Sequence, residues 1–174
     1  MNTIHSIDGY LLRSVIRRAS FNEVEVSNAL SAITIVLLER ANGKATEAVC
    51  PSADLQNMLT IYSYSKMLDT SIINYIDADN IHSVPTELLV KLSATLSKML
   101  ELGSSPVLTV HDAFRSAPWH CNAVRYHYKE IMSELAESDI LQFIVSQIVK
   151  QQVVYIKKSN QLANMIRKSN YSIC

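Results

Sequence analysis

Apolar side chains recur at helical spacing along most of this chain. Ile7, Leu11 and Val15 mark a first amphipathic helix over residues 5–19, and a second helix is predicted over 21–40. The second pattern is so apolar between residues 27 and 38 that we expect burial on most sides. The same spacing predicts further helices at the following positions: 53–68 with a continuation to 76, 85–102, 122–137, 140–157 and 161–168.

The only predicted strand follows the strongest predicted helix. Pro85 is suited to open that helix, and Gly103 is suited to end it. The apolar run 106–110 then predicts a short buried strand, and Asp112 comes just after it. A buried carboxylate is costly unless a cation binds it, so Asp112 is a candidate metal ligand. The alternative is that Asp112 caps a turn after the strand.

The composition favours a helical, intracellular protein of one domain. In 174 residues there are only 3 Gly and 4 Pro, which is typical of long helices rather than hairpins. The net charge is zero, whereas a chain that binds nucleic acid by itself usually has a basic excess. Three widely spaced cysteines form no zinc or disulfide pattern, which favours a reducing compartment. We find no secretory signal and no apolar run long enough to span a bilayer.

Residues 107–141 resemble the C-terminal palm of the single-subunit RNA polymerases of bacteriophages and mitochondria. In that family a strand leads to a His-Asp dipeptide, a small residue and an aromatic residue, and the long helix that follows ends near a short Asp-apolar-Leu element. The matching residues are Leu108-Thr109-Val110-His111-Asp112-Ala113-Phe114, Ala117-Pro118 and Asp139-Ile140-Leu141. Residues 162–172 are similar to the extreme C-terminus of the same family.

A second match lies at the N-terminus, where His5-Ser6-Ile7-Asp8-Gly9 is similar to the H-S-x-D-G segment of the family. In the family this segment lies much closer to the His-Asp dipeptide than His5 lies to Asp112. A partial echo, Ile81-His82-Ser83-Val84, has the family spacing, but Pro85-Thr86 replaces its Asp-Gly. We therefore expect an insertion over residues 21–79, and the alternative is that His82 fills the family position.

The resemblance implies an α+β fold, mostly helical, that forms the palm and adjoining helices of a right-hand polymerase around a small antiparallel sheet. It implies that residues 1–174 form one module. Asp112 would be the catalytic residue and would bind Mg²⁺, which accepts a few carboxylates beside water and phosphate oxygens. The residues expected to contact substrate or nucleic acid are His5, Ser6, Asp8, His111, Arg13 and Arg17.

Each of these assignments has a simpler structural alternative. His111 is either an active-site residue or a packed histidine. His5 and Ser6 either contact the nucleotide or the RNA end, or form a helix cap, and Asp8 is equally suited to the first turn of a helix. Arg13 and Arg17, with Arg18 adjacent, form a basic edge that either contacts phosphates or faces solvent.

The family also needs a second metal-binding aspartate and a fingers helix with Lys and Tyr, and neither is found here. The chain starts just before the His5-Ser6 match, so we expect these motifs on a larger partner subunit. The predicted function is a subunit of a DNA-dependent RNA polymerase, inactive alone, that meets DNA template, RNA product and nucleotides through the complex in the cytoplasm of an infected host cell. The alternatives are a helical interaction or scaffold protein and an inhibitory remnant of a polymerase.

Two further groups are open to both readings. Tyr62, Tyr64 and Lys66 suggest base stacking, although the edge of an amphipathic helix explains them as well. A second weak basic cluster lies near the C-terminus and either binds phosphates or faces solvent. It consists of Lys157, Lys158, Arg167 and Lys168.

Overall fold

The computed structural model describes residues 3–44, 49–110, 113–157, 159 and 161–169. Its helices are α1 (Thr3–Ala19), α2 (Glu23–Ala41), α3 (Ala53–Ser65), α4 (Thr86–Leu102), α5 (Cys121–Glu137), α6 (Ile140–Val149) and α7 (Leu162–Lys168). The strands β1 (Leu108–Val110) and β2 (Ala113–Arg115) form a two-stranded antiparallel sheet. The described residues therefore confirm the mostly helical α+β class with a small antiparallel sheet.

Side-chain caps and a glycine fix several helix ends. Asn22 Oδ1 accepts hydrogen bonds from the backbone N–H groups of Val24 and Glu25 at the start of α2. Ser52 Oγ accepts from the Leu55 N–H at the start of α3. Gly103, at φ 75°, ends α4 as predicted.

Two helices end earlier than the sequence pattern predicts. The third helix stops at Ser65, and its continuation is a short 3₁₀ helix, Thr70–Tyr75. The sixth stops at Val149 rather than near residue 157. In both cases the next residue, Lys66 or Lys150, takes a positive φ (58° and 54°), which turns the chain out of the helix. Because glycine is the usual residue in that conformation, neither ending was recognisable in the sequence.

The expected burial of α2 on most sides is wrong. Only one face is covered, and it contains Val26, Ile33 and Val36. Ile35 and Leu38 on the other side are each 58% exposed. The elements that pack on α2 are α4 and the turn at Ile81–Ser83, which is too little to surround it.

The helices pack around two hydrophobic cores. The larger core joins α2, α3 and α4 with the two 3₁₀ turns, and the leucine stripe of α4 lies at its centre. The smaller core joins α1 and α5 through Leu11, Val15, Val124 and Ile131, with Phe114 of β2 at its edge. Helix α7 packs on α5, and α6 packs on α3.

The strand before Asp112 is not buried, which corrects the prediction. Leu108 is 68% exposed and Val110 is 51% exposed. The reason is that the sheet has only two strands and one side packs on the smaller core, so the other side has nothing over it within the described residues.

No individual helix in the described part of the chain combines the length and the apolar character needed to cross a membrane. Helices α1 and α2 pass that test only when taken together, and the chain bends by 92° between them.

Candidate functional site

The candidate site is the turn between the two strands. Thr109 pairs with Phe114, and Val110 pairs with Ala113, in an antiparallel register. That register leaves two positions to connect the strands, and these positions carry His111 and Asp112. Both predicted site residues lie outside the described residues, so the structure gives the frame around them and not their own geometry.

The two faces of this hairpin have different surroundings. On the inner face the ring of Phe114 meets the ring of Tyr128 edge-on, with 6.1 Å between centroids. On the outer face Leu108 lies opposite Arg115, and both are exposed. Trp119, in the turn that leads to α5, is 84% exposed. The hairpin is therefore anchored on one side and open on the other.

Helix α1 carries most of the remaining predicted residues on its surface. His5, Asp8 and Arg13 are exposed, and Ser6 is half-buried. The Arg13 guanidinium lies back along the helix, 3.4 Å from where a Cβ on Gly9 would stand. Within the described part of the chain, no hydrogen bond or ion pair connects these residues to the hairpin. Helix α1 reaches the hairpin instead through the smaller core, in which Leu11, Val15 and Phe114 take part.

The other two arginines of α1 are engaged within the protein. The Arg17 guanidinium donates to both carboxylate oxygens of Asp69, at 2.8 and 2.6 Å. Arg18 is 2% exposed, and its guanidinium forms a bidentate pair with Glu134 of α5, with both N–O distances 2.7 Å. Binding of a phosphate by Arg17 would therefore have to compete with Asp69, and Arg18 is not available at the surface.

Arg18 lies between the two cores in a row of polar side chains with Tyr10 and His127, which we call the polar seam. The Tyr10 hydroxyl donates to the Leu68 carbonyl oxygen at 2.9 Å, and burial raises the Tyr10 pKa to about 12. His127 is buried in α5, and its Nε2 has no hydrogen-bond partner among the described residues. Burial, with the nearby Arg18 charge, lowers the His127 pKa to about 3, so the ring is neutral at physiological pH.

The seam opens into a charged cavity of about 270 Å³. Glu134 lines it together with Glu137 and Arg167, which pair at 2.6 Å, and with Lys66 and Lys91. This cavity was not expected from the sequence. Its carboxylates recur along one face of α5, which was a visible signal, but their cationic partners come from distant segments. Because the cavity balances positive and negative charge, we assign it a structural role.

The described residues contain no group of three or more His, Cys, Asp or Glu side chains that could hold a metal ion. Asp112 lies outside the residues to which this finding applies.

No protein-family model matches this sequence, and a search of curated proteins found none with significant similarity.

Proposed function

We propose that the chain is a subunit of a DNA-dependent RNA polymerase and contributes one metal-binding aspartate, Asp112, to nucleotidyl transfer. The observation that carries the proposal is the strand register. Only positions 111 and 112 separate Val110 from Ala113, so the His-Asp dipeptide found in the sequence falls at the connection of a tight antiparallel hairpin. Paired strands on both sides of such a connection are a rigid support for residues that bind a cation.

The packing of α1 supports His5, rather than His82, as the counterpart of the family histidine. The helix that contains His5 shares the smaller core with Phe114, the aromatic residue of the dipeptide motif. The segment around His82 instead packs in the larger core, where Ile81 and Val84 are buried. Residues 21–79 supply half of the buried residues of that larger core and none of those of the smaller core, as an insertion between two parts of the palm would.

The open face of the hairpin supports a second polypeptide in the enzyme. Leu108, Val110 and Trp119 leave apolar surface beside the dipeptide, and the edges of a two-stranded sheet have unpaired backbone groups. A larger subunit that covers this face would bring the second aspartate and the fingers residues close to Asp112.

In the proposed reaction Asp112 binds the metal ion, and the rest of the chain holds the hairpin and the nucleic acid in place. Asp112 would be one ligand of a Mg²⁺ ion, whose positive charge would stabilise the negative charge that develops around the transferred phosphoryl group. The Phe114 contact with Tyr128 would fix the hairpin on α5. His5 and Arg13, exposed on α1, would face nucleic acid or nucleotide in the assembled cleft.

The test is purification of the chain with its larger partner, followed by nucleotide incorporation with Asp112→Asn. We expect the variant to assemble normally and to lose incorporation, since an amide keeps the shape of the side chain and removes its charge. Asp79→Asn is the matched control, because Asp79 is an exposed carboxylate far along the chain from the hairpin. Full incorporation by Asp112→Asn would exclude the proposed role.

The exposed apolar surface also favours a second candidate, a helical interaction protein without catalysis. None of the α6 residues is buried, although this helix is strongly apolar, and Trp119 stands free in solvent. Such a protein would bind the larger chain equally well with or without Asp112. A complex whose RNA synthesis is unchanged by Asp112→Asn but is altered by adding more of the chain would support this candidate.

A further inference from the structure

A groove of about 530 Å³ lies between the end of α3 and α6, away from the hairpin. Aromatic, carboxamide, hydroxyl and cationic side chains line it, among them Tyr64, Gln142, Phe143, Gln147, Lys150 and Gln151. No carboxylate lines the groove among the described residues, which sets it apart from the charged cavity on α5.

The aromatic part of the groove offers a free ring face. Tyr64 and Phe143 stack with 6.0 Å between centroids and 15° between planes, and Tyr64 remains 63% exposed. Tyr62, two residues earlier, is only 6% exposed and belongs to the larger core. The structure thus separates the two tyrosines: Tyr62 packs inside, whereas Tyr64 presents a ring on which a flat group can stack.

The carboxamides supply donors and acceptors beside that ring. Gln142 Oε1 accepts from the Tyr155 N–H at 3.0 Å, and Ser146 Oγ accepts from the Val153 N–H at 2.9 Å. These bonds hold the segment after α6 against the helix. Gln147 and Gln151 have no hydrogen-bond partner within the described residues, so their amides are free for the edge of a base.

Among the described residues, the charged side chain that lines the groove is Lys150. All 16 Asp and Glu residues precede residue 140, while five of the 16 Lys and Arg residues follow it. Lys157 forms an ion pair with Asp139, and Arg167 forms ion pairs with Glu130 and Glu137. In contrast, Lys150 is exposed and has no ion-pair partner within the described residues. It lines the groove at a positive φ, where glycine would be less strained.

We propose that this groove binds single-stranded nucleic acid, with a base stacked on Tyr64, amide contacts to base edges and Lys150 on a phosphate. A stacking ring, free amides and an unpaired cation without carboxylates are the features that recognise unpaired nucleotides. A duplex would hide the base faces by stacking and the Watson–Crick edges by pairing. The proposal does not rest on the polymerase assignment, because the groove does not include Asp112 and its binding is measured on the chain alone.

The first test is fluorescence anisotropy with the full chain and a labelled oligothymidylate or oligouridylate of about fifteen nucleotides, at about 50 mM salt. We expect Tyr64→Ala to weaken binding about tenfold or more, as loss of one stacked base does. Tyr75→Ala is the matched control, since Tyr75 is also exposed (41%) but lies outside the groove. Equal affinities of the two variants would overturn the proposal, as would no binding by the parent chain at about 100 µM.

The second test compares two lysines in the same backbone conformation. Lys150→Gly and Lys66→Gly each remove one positive charge and place glycine at a positive φ after a helix, so neither should harm the fold. Only Lys150 lines the groove, whereas Lys66 lines the charged cavity. We expect Lys150→Gly to weaken binding and to reduce the slope of log K against log salt by about 0.7. Lys66→Gly should leave both unchanged.

These variants also separate the proposal from its rival, a protein partner in the same groove. If Lys150→Gly and Tyr64→Ala bound the oligonucleotide like the parent chain but no longer retained the larger subunit, the groove would be a protein interface and the proposal would be wrong. Because Lys150→Gly keeps the stacked rings, it decides the matter even if Tyr64→Ala disturbs α6.

Discussion

The two cores of this molecule differ in what holds them together. In the larger core, side chains such as Leu88, Leu92 and Leu96 are completely buried, and three helices and two turns surround them. The smaller core has fewer buried apolar side chains and relies on polar contacts, above all the buried pair of Arg18 and Glu134. The hairpin with the candidate site packs on the smaller core. The comparison indicates that the larger core supplies most of the stability of the fold, while the smaller core holds the hairpin and is stabilised in part by polar contacts.

The largest expected effect is the loss of a leucine from the larger core. Leu92→Ala should lower the free energy of unfolding by about 3–5 kcal/mol, because the site is fully enclosed and leaves a cavity. Leu11→Ala in the smaller core should cost about 2 kcal/mol, since Leu11 is 9% exposed and its surroundings can relax. Urea denaturation measures both values. Equal losses in the free energy of unfolding would mean that the two cores are equally well packed, contrary to the difference described between them.

Loss of the buried arginine should have the next largest effect. Arg18→Ala leaves Glu134 without its partner in the seam, and we expect a loss of about 2–3 kcal/mol, below the usual cost of breaking a fully buried pair because Glu134 is 22% exposed. Arg17→Ala, one residue earlier, should cost under about 1 kcal/mol because the Arg17–Asp69 pair is partly exposed. Thermal unfolding of both variants gives the comparison. If Arg17→Ala lowered the stability more than Arg18→Ala does, the polar seam would not be the more important of the two contacts for stability.

The pH dependence of stability should depend on His127. Its pKa falls from 6.5 to about 3 on folding, mainly through burial, so below pH 6.5 the unfolded chain takes up a proton that the native ring does not. The free energy of unfolding should therefore fall by about 1.4 kcal/mol for each pH unit between about 6.5 and 4.5. Glu137, whose pKa is lowered from 4.5 by its bond to Arg167, adds its contribution below that window.

His127→Leu removes the titrating group and the unpaired Nε2 together. We expect this variant to be at least as stable as the parent chain at pH 7 and to lose less stability on acidification. Urea denaturation at several pH values measures the slope. A slope that is unchanged in His127→Leu would show that other groups account for the acid sensitivity.

The smallest expected effect on stability is at Trp119. Trp119→Ser should change the free energy of unfolding by less than about 0.5 kcal/mol, because the ring is 84% exposed. Its effect on binding of the proposed larger subunit should be far greater, about 2 kcal/mol or more, if the ring is buried in that interface. Isothermal titration with the larger subunit measures this. Unchanged binding would mean that the larger subunit does not bind at Trp119 beside the hairpin.

The sequence pattern predicted the larger core well. The spacing of Leu88, Leu92 and Leu96, with Gly103 behind them, determined both the position and the buried face of α4. Periodicity reports which side of a helix is apolar but not how many neighbours cover it. That is why α2 was expected to be buried on most sides and is covered on one, and why the strand before His111 was expected to be buried and is open.

The polar seam and the early end of α6 could not be read from local sequence. Arg17 and Arg18 are adjacent and identical in type, yet one reaches the surface and the other pairs with Glu134, more than a hundred positions away. The turn at Lys150 places a lysine where glycine is expected. For the candidate site, the sequence supplied Asp112 and its family resemblance, and the structure added the register of the flanking strands. Assignment of Asp112 as a metal ligand stays a prediction.

The order in which the chain is synthesised gives the separation of the two cores a further consequence. The buried residues of the larger core run from Val26 to Met99, so that region can close while the rest is still being translated. Helix α1 is synthesised before that region, whereas its partners Val124 and Ile131 are synthesised after it. The apolar face of α1 therefore stays uncovered until α5 has been made, and a chaperone or an early-arriving subunit would act at that stage.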